Sequence, residues 1–326
     1  MKCIITGGAG FIGSNLADKL HSLGHNIIVI DNLSTGVKKN LKNIKKGIKF
    51  VNHDISKNTK NFKKIFKGAD WVFHLAGLAD IVPSIKNPAL YFKSNVEGTL
   101  NVVNASKDNN VKKLVYAGSA SYYGLPKKFP IMENARLETR YPYALTKYLG
   151  EKIVLNWASI YGAKNVSLRF FNVYGPRSRT TGAYGAVFGV FLAQKISNKP
   201  LTIVGNGKQT RDFVHVYDLV NGLILAAKKG KPGEAYNIGG GKEVSVNKIA
   251  NLIGGKKTYI PKRPGEPSRS LASIKKIKKH LGWRPKISIE QGISHLLKNI
   301  SNWKEAPVWT PKKIKIETKI WFKYLK

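Results

Sequence analysis

The chain of 326 residues holds a single cysteine, Cys3, so no disulfide can form within it, and one buried thiol fits a reducing compartment. It has no apolar run long enough to cross a bilayer. The first strand pattern, Lys2–Thr6, starts at once and leaves no room for a secretory leader, so a cytoplasmic protein is expected. Acidic residues are scarce: 18 Asp and Glu face 56 Lys and Arg, a formal charge of +38. Arginine is scarce as well, at nine against 47 lysines. A charge this large invites a nucleic-acid or anionic-membrane partner. It is spread along the whole chain, however, and nucleic-acid and phosphate forks favour arginine over lysine. General lysine enrichment is therefore the reading adopted, with no specific nucleic-acid partner. Internal repeats and low-complexity linkers are absent, and with 42% hydrophobic residues the length supports one large domain or two moderate ones.

What is present is an alternation of strand and helix signals through the first half. Strands are expected near Lys2–Thr6, Asn26–Ile30, Ile48–Asn52, Trp71–Leu75, Lys113–Ala117 and Val166–Phe170, with helical patterns at Pro88–Ser106 and Tyr141–Trp157. Alternating βα units imply an α/β fold, a doubly wound parallel sheet with helices on both faces. Past Asn172 the regularity breaks. Gly, Pro and Arg cluster at Gly175–Gly185 and Pro261–Arg269, which read as binding loops of a smaller α+β lobe. Ser245 is placed to cap a helix at Val246–Leu252. The tail from Thr310 to Lys326 reads as one helix, capped by Thr310 with Pro311 in its first turn. Ile314, Trp321 and Leu325 share its apolar face, which is expected to pack on the body of the protein rather than on a membrane.

Thr6-Gly7-Gly8-Ala9-Gly10-Phe11-Ile12-Gly13 follows the first strand and opens a helix. Its glycines satisfy the spacing that lets backbone approach a pyrophosphate at a helix N-terminus. Asp31 ends the second strand. A carboxylate there accepts from a ribose diol and repels a 2′-phosphate, favouring NAD over NADP. Strand, turn, helix, strand and Asp in this order make a specific signal.

Tyr143 and Lys147 lie four residues apart, on one face of a helix, and Ser119 ends a strand 24 residues upstream. Composition alone makes about two Tyr-x-x-x-Lys pairs, and three occur. Tyr123 with Lys127 is interrupted by Gly124 and Pro126, and Tyr148 with Lys152 is turned well away from the first pair. A free tyrosine titrates near about 10, and a nearby cation lowers that toward working pH. Tyr143 is thus the expected base toward an alcohol, Lys147 the cation that acidifies it, and Ser119 the group that holds the alcohol oxygen.

At this point the sequence resembles the extended short-chain dehydrogenase/reductases, and within them the nucleotide-sugar 4-epimerases. The likeness covers nearly the whole chain. It rests on the Gly-rich turn; Asp31-Asn-Leu-Ser-Thr-Gly36; His74-Leu-Ala-Gly77; Asn95-Val-Glu-Gly-Thr99; Ser119 before Tyr122-Tyr-Gly124; Tyr143 with Lys147; Arg169-Phe-Phe-Asn-Val-Tyr-Gly-Pro-Arg177; Gly205-Asn-Gly-Lys-Gln-Thr-Arg211; and Arg263-Pro-Gly-Glu266. The resemblance implies bound NAD, contacted by Gly7, Gly10, Phe11, Ile12, Asp31, Asn32, Thr35, Gly36, Asp54, Ile55, Ala76, Asn95, Tyr143 and Lys147. It implies a nucleotide-sugar site built from Ser84, Ser119, Asn172, Val187, Thr202, Val204, Arg211, Arg263, Glu266 and Ser270. An NAD-binding Rossmann domain would comprise 1–171 and 213–238, and the sugar-nucleotide lobe 172–212 and 239–326. A homodimer is the family expectation. Among so few arginines, Arg177, Arg211 and Arg263 persist in these motifs, as gripping a diphosphate requires.

The family likeness also narrows the reaction. Relatives that eliminate water or carbon dioxide carry carboxylates before Tyr123-Gly124, where this chain has Ser119-Ala120-Ser121. Those that epimerise C3 and C5 use a cysteine, and Cys3 is misplaced for it. What remains is oxidation and re-reduction at one carbon: inversion of C4 of a UDP-hexose. Ser270 stands where relatives carry a bulky tyrosine or a small residue, so N-acetylhexosamines are expected to be accepted. Another nucleotide-sugar oxidoreductase, a non-catalytic RNA-binding relative and a membrane-held polysaccharide enzyme remain as alternatives. Ala272-Ser273-Ile274 departs from the Ala-Asp-Ile that relatives often carry, and a local cap or salt link is expected to be missing there.

Overall fold

The computed structural model describes residues 1–42, 44, 47–178 and 186–325. Among the described residues there are twelve strands: β1 (Lys2–Thr6), β2 (Asn26–Asp31), β3 (Ile48–Asn52), β4 (Trp71–His74), β5 (Lys113–Ser119), β6 (Asn165–Phe170), β7 (Asn172–Tyr174), β8 (Leu201–Val204), β9 (Thr210–His215), β10 (Ala235–Ile238), β11 (Glu243–Ser245) and β12 (Lys257–Ile260). Seven form one sheet in the order β10-β6-β5-β4-β1-β2-β3, every pair parallel. The strand order reverses between β1 and β4, and a crevice opens beyond their carboxyl ends.

Successive residues of a strand face opposite sides, and the two apolar layers divide accordingly. Cys3, Ile5 and Val29 pack on Leu16, Leu20, Leu219 and Leu223 of the helices Phe11–Ser22 and Val216–Lys229. Ile4, Ile30 and Val72 pack on Val102, Val103 and Val154 of the opposite layer. The fold is a doubly wound Rossmann sheet. A smaller lobe holds β11-β9-β7 and β12-β8 around Phe188, Phe191, Leu201, Ile203, Phe213 and Trp303.

The six expected strands are all found, the largest difference being β5, which runs two residues further and so carries Ser119 at its end. The expected helix Pro88–Ser106 contains a π-turn, Lys93–Glu97, that turns Asn95 inward. Ser245 caps Val246–Ile253 by accepting from the Lys248 amide. Ile274 starts the helix Lys275–Leu281 with no side-chain cap, as the departure at 272–274 implies. The tail is not one helix. Thr310 caps Pro311–Glu317, and a second helix spans Lys319–Tyr324. At the junction the Thr318 hydroxyl donates to the Ile314 carbonyl alongside the Thr318 amide, so that one carbonyl accepts twice. Ile314, Trp321 and Leu325 are nonetheless all buried.

Beneath the sheet ends lies a buried polar knot. Glu151, on the helix Pro142–Tyr161, accepts from the Tyr122 and Ser167 hydroxyls, each at 2.7 Å, and from the Arg169 guanidinium at 2.7 and 3.1 Å. Arg169 also donates to the Tyr123 hydroxyl and the Glu133 carbonyl. Removing one partner strands a buried charge, so Glu151→Ala is expected to lose about 3–5 kcal/mol of stability in urea unfolding. A loss within measurement error would show that the pair does not hold β5, β6 and this helix together.

Candidate active site

The Gly-rich turn closes on itself where β1 ends. Gly7 has φ +71° and donates to the Ile30 carbonyl at 2.8 Å; a Cβ there would sit 2.7 Å from the Ala76 nitrogen. A Cβ on Gly13 would lie 2.3 Å from the Gly7 oxygen, so helix and turn can meet only through glycine. A Cβ on Gly10 would meet nothing within 4 Å but that same oxygen, which leaves its other side open. Gly10 caps the helix Phe11–Ser22 without a side chain, so the first-turn amides remain available to an anion. This cradle fits a dinucleotide pyrophosphate.

Asp31 accepts from the Ala9 and Leu33 amides at 3.0 and 2.8 Å, and burial raises its carboxyl above the ordinary range. Gly36 lies against this carboxylate, where a Cβ would come within 2.8 Å. Burial works to raise Asp54 as well. Hydrogen bonds from Ser56 and Asn32 and the charge of Lys57 outweigh it and hold the carboxyl below its usual value. His74 is fully buried, and burial followed by the charge of Lys147 pushes it down to about 3. The Thr99 hydroxyl donates to the Asn95 carbonyl, so neutral His74 donates through Nε2 to Thr99 and accepts at Nδ1 from Thr6. Asn95 clamps Leu78 from both sides, accepting from its amide at 2.7 Å and donating to its carbonyl at 3.0 Å.

These elements wall a cleft of about 1120 Å³. Of the expected cofactor residues, Gly7, Gly10, Phe11, Ile12, Asp31, Asn32, Thr35, Asp54, Ile55, Ala76, Tyr143 and Lys147 line it. Gly36 stands behind Asp31, and Asn95 behind Leu78.

Tyr143 reaches the same cleft. Its hydroxyl donates to Ser119 Oγ at 3.4 Å, and Ser119 in turn donates to Ser121 Oγ at 2.8 Å. The Ser119 amide is held by the Tyr122 hydroxyl, and so by Glu151. The Tyr143 ring stacks on Tyr141 and meets Tyr91 edge-on. Its ionisation differs from the sequence expectation. Burial raises the Tyr143 phenol, and the group that opposes this is Ser119, not Lys147. Lys147 is itself buried, its ammonium 4.2 Å from the centre of the Tyr116 ring. Burial brings it down to about 7, against the upward pull of Glu151 one turn along. Both groups are therefore poised toward their neutral forms by the protein alone.

The expected substrate residues form a second cluster. Arg211 pairs with Glu266 at 2.7 Å, and Arg263 meets the same carboxylate at 3.9 Å. Tyr141 joins this cluster to the cleft, since it stacks on Tyr143 and feels the charges of Glu266 and Arg211. Asn172 is exposed at the start of β7, Val187 opens the helix Val187–Ile196, and Val204 ends β8. Ser270 is half-buried beside the Arg269–Glu243 ion pair. Two expected residues have hydroxyls turned elsewhere: Ser84 donates to the Ile81 carbonyl, and Thr202 accepts from Gln194. Arg177 lines the cleft but pairs with Asp18 at 2.5 Å, so this contact of its fork holds the helix Phe11–Ser22 rather than a phosphate. Part of the Gly175–Gly185 loop, residues 179–185, lies outside the described residues.

Sequence reasoning missed Tyr141, which stacks on Tyr143 behind the cleft, and, in the cleft wall, Asp80 and the segment 301–307. Asp80 takes φ +78°, lines the cleft and bears on Tyr143 by its charge. The second tyrosine of Tyr141-Pro-Tyr143 was the available signal for the first; nothing in the sequence marks the other two.

Comparison with known proteins agrees with this geometry. Residues 3–239 match the NAD dependent epimerase/dehydratase family. A UDP-glucose 4-epimerase from Thermotoga maritima, solved with UDP-glucose, is 34% identical, with a TM-score of 0.87 over 93% of this chain and 99% of that one. A UDP-N-acetylglucosamine 4-epimerase from Methanobrevibacter ruminantium, in complex with UDP-N-acetylmuramic acid, is 30% identical, with a TM-score of 0.86 over 91% and 98%. A UDP-glucuronic acid 4-epimerase from Bacillus cereus, solved with UDP-glucuronic acid and NAD, is 31% identical, with a TM-score of 0.85 over 93% and 99%. With its Gly-rich cradle, its Ser119–Tyr143 contact and a match over most of its length, the chain belongs to the NAD dependent epimerase/dehydratase family.

Proposed function

We propose that this protein inverts C4 of a UDP-hexose through a transient 4-keto sugar, acting on UDP-glucose and UDP-galactose and also on their N-acetylhexosamine counterparts. The observation that carries the reading is the 3.4 Å contact with Ser119 made by Tyr143, which lines the cleft together with the Gly-rich turn and Asp31. NAD, held by the Gly-rich turn and Asp31, would supply a hydride acceptor and donor for C4 and a positive charge that favours phenolate. Tyr143 removes the proton of the 4-hydroxyl, and Ser119, fixed by Tyr122 and Ser121, orients that oxygen. Lys147, titrating near neutrality, can hold or release a proton at working pH. Arg211 and Arg263 keep the diphosphate in place while the keto sugar turns over. Ser119, Tyr143 and Lys147 are the residues assigned to the chemistry. Residues 1–171 with 213–238 form the cofactor lobe, 172–212 with 239–326 the sugar-nucleotide lobe, and the active form is a cytoplasmic homodimer.

Relatives act on a hexose, an N-acetylhexosamine and a uronate, so the sugar pocket decides among them. Ser270 leaves room for a 2-acetamido group. Two variants test the reading with UDP-glucose and UDP-N-acetylglucosamine as substrates. Tyr143→Phe is expected to lower turnover by about a hundredfold or more while NAD stays bound; normal turnover would remove Tyr143 as the base. Ser270→Tyr is expected to cut activity on the N-acetyl sugar by roughly tenfold or more and spare UDP-glucose. Equal loss on both sugars would deny Ser270 a gating role.

A further inference from the structure

We infer that the C-terminal segment is a brace for the substrate diphosphate, and that Trp321 is a positioning residue acting through Arg263. This rests on the reading of Arg263 as a diphosphate ligand. The loop that carries Arg263 and Glu266, residues 261–269, has neither helix nor strand to stiffen it. Its carboxylate, Glu266, is shared between two guanidinium groups, Arg211 and Arg263. An arginine in so loose a segment must lose rotamer freedom when it grips a phosphate, unless something has ordered it beforehand.

Trp321 does that ordering from the far end of the chain. Its indole N–H donates to the Pro264 carbonyl at 2.7 Å, and its ring lies 5.4 Å from the Arg263 guanidinium carbon. Both contacts fall on adjacent residues of the loop, one fixing backbone and one fixing side chain. A guanidinium held against an indole is already ordered when it meets a planar anion. The tryptophan is buried with Val82 and Leu325, against Ile81, Ile85 and Tyr141. Lys86 and Glu317 pair at 2.8 Å and tie the helix Ile81–Lys86 to the first tail helix. The tail therefore sits between the diphosphate loop and the helix that follows Asp80, touching both ends of the sugar site. In the three solved relatives 98–99% of each chain is matched by 91–93% of this one. The family match ends at residue 239, well before the tail.

The test uses the full-length chain with its cofactor and titrates UDP calorimetrically into wild type, Trp321→Ala, Trp321→Phe, Arg263→Ala and the double variant Arg263→Ala/Trp321→Ala. Trp321→Ala is expected to weaken UDP binding by about tenfold, and Trp321→Phe, which keeps an aromatic face, by about two- to threefold. The KM for UDP-glucose should rise in step while kcat stays within about twofold, because positioning the diphosphate is uniform binding. In the Arg263→Ala background, loss of Trp321 should change UDP affinity no further, since the route it acts through is gone. Unchanged UDP affinity in Trp321→Ala, beside a weakened Arg263→Ala, would overturn the brace alone. Additive losses in the double variant, or a fall in kcat at constant affinity, would overturn it as well. Unchanged affinity in Arg263→Ala would bring down the brace and the reading of Arg263 together.

Discussion

Glu151 places its carboxylate, 1% exposed, where β5, β6 and the helix Pro142–Tyr161 meet. Tyr143, Lys147 and Glu151 follow one another at intervals of four on that helix, so they rise along one face from the buried floor to the cleft. Through the Tyr122 hydroxyl the carboxylate fixes the amide of Ser119, and through space it supports the charge of Lys147. Arg169 compensates it and in turn ties down Tyr123 and the Glu133 carbonyl. A second buried link, from the Tyr116 hydroxyl of β5 to the Lys147 carbonyl at 3.0 Å, joins the same strand and helix, and the two together set the distance between Ser119 and Tyr143. A charge pair kept this dry adds little net stability, and its value here is geometric.

The cleft sets proton affinities by burial more than by neighbouring charge. His74, Lys147 and Tyr143 are each moved toward the neutral form, and in each case burial is the leading cause. Fixed charge at the centre is thereby reduced, and a cofactor or substrate charge acts there at low dielectric and with correspondingly large effect. The simple picture of a lysine acidifying a tyrosine one turn away is therefore incomplete. Lys147 directs its ammonium at the Tyr116 ring and lies near Gly77, and the hydroxyl of Ser119 is what favours the phenolate.

Much of this was legible in the sequence, for identifiable reasons. Parallel strands buried on both faces read as apolar runs, which is why β1 falls at its expected limits, and the partly buried edge strand β3 matches its limits through alternation instead. The Gly7–Gly13 turn is written in its spacing because no other residue fits, and Asp31 follows from its place at a strand end. Tyr143 and Lys147 are visible because helical neighbours are local. Long-range closure is what the sequence hides. Glu151 finds Arg169 eighteen residues away on another strand, and Trp321 meets a loop 57 residues earlier. The left-handed backbone of Asp80 is settled by surroundings that no local pattern encodes. Ser84 and Thr202 looked available by position, but their hydroxyls are engaged with Ile81 and Gln194.

The central claim is that a single carbon of a captive sugar loses and regains its own hydride beside Tyr143. Carrying a deuterium label at C4 of UDP-glucose through one equilibration in ordinary water tests it most directly, with the product read by NMR. The account predicts that both C4 epimers keep the label at C4. Inversion with the label lost to solvent, or retention of configuration throughout, would contradict it.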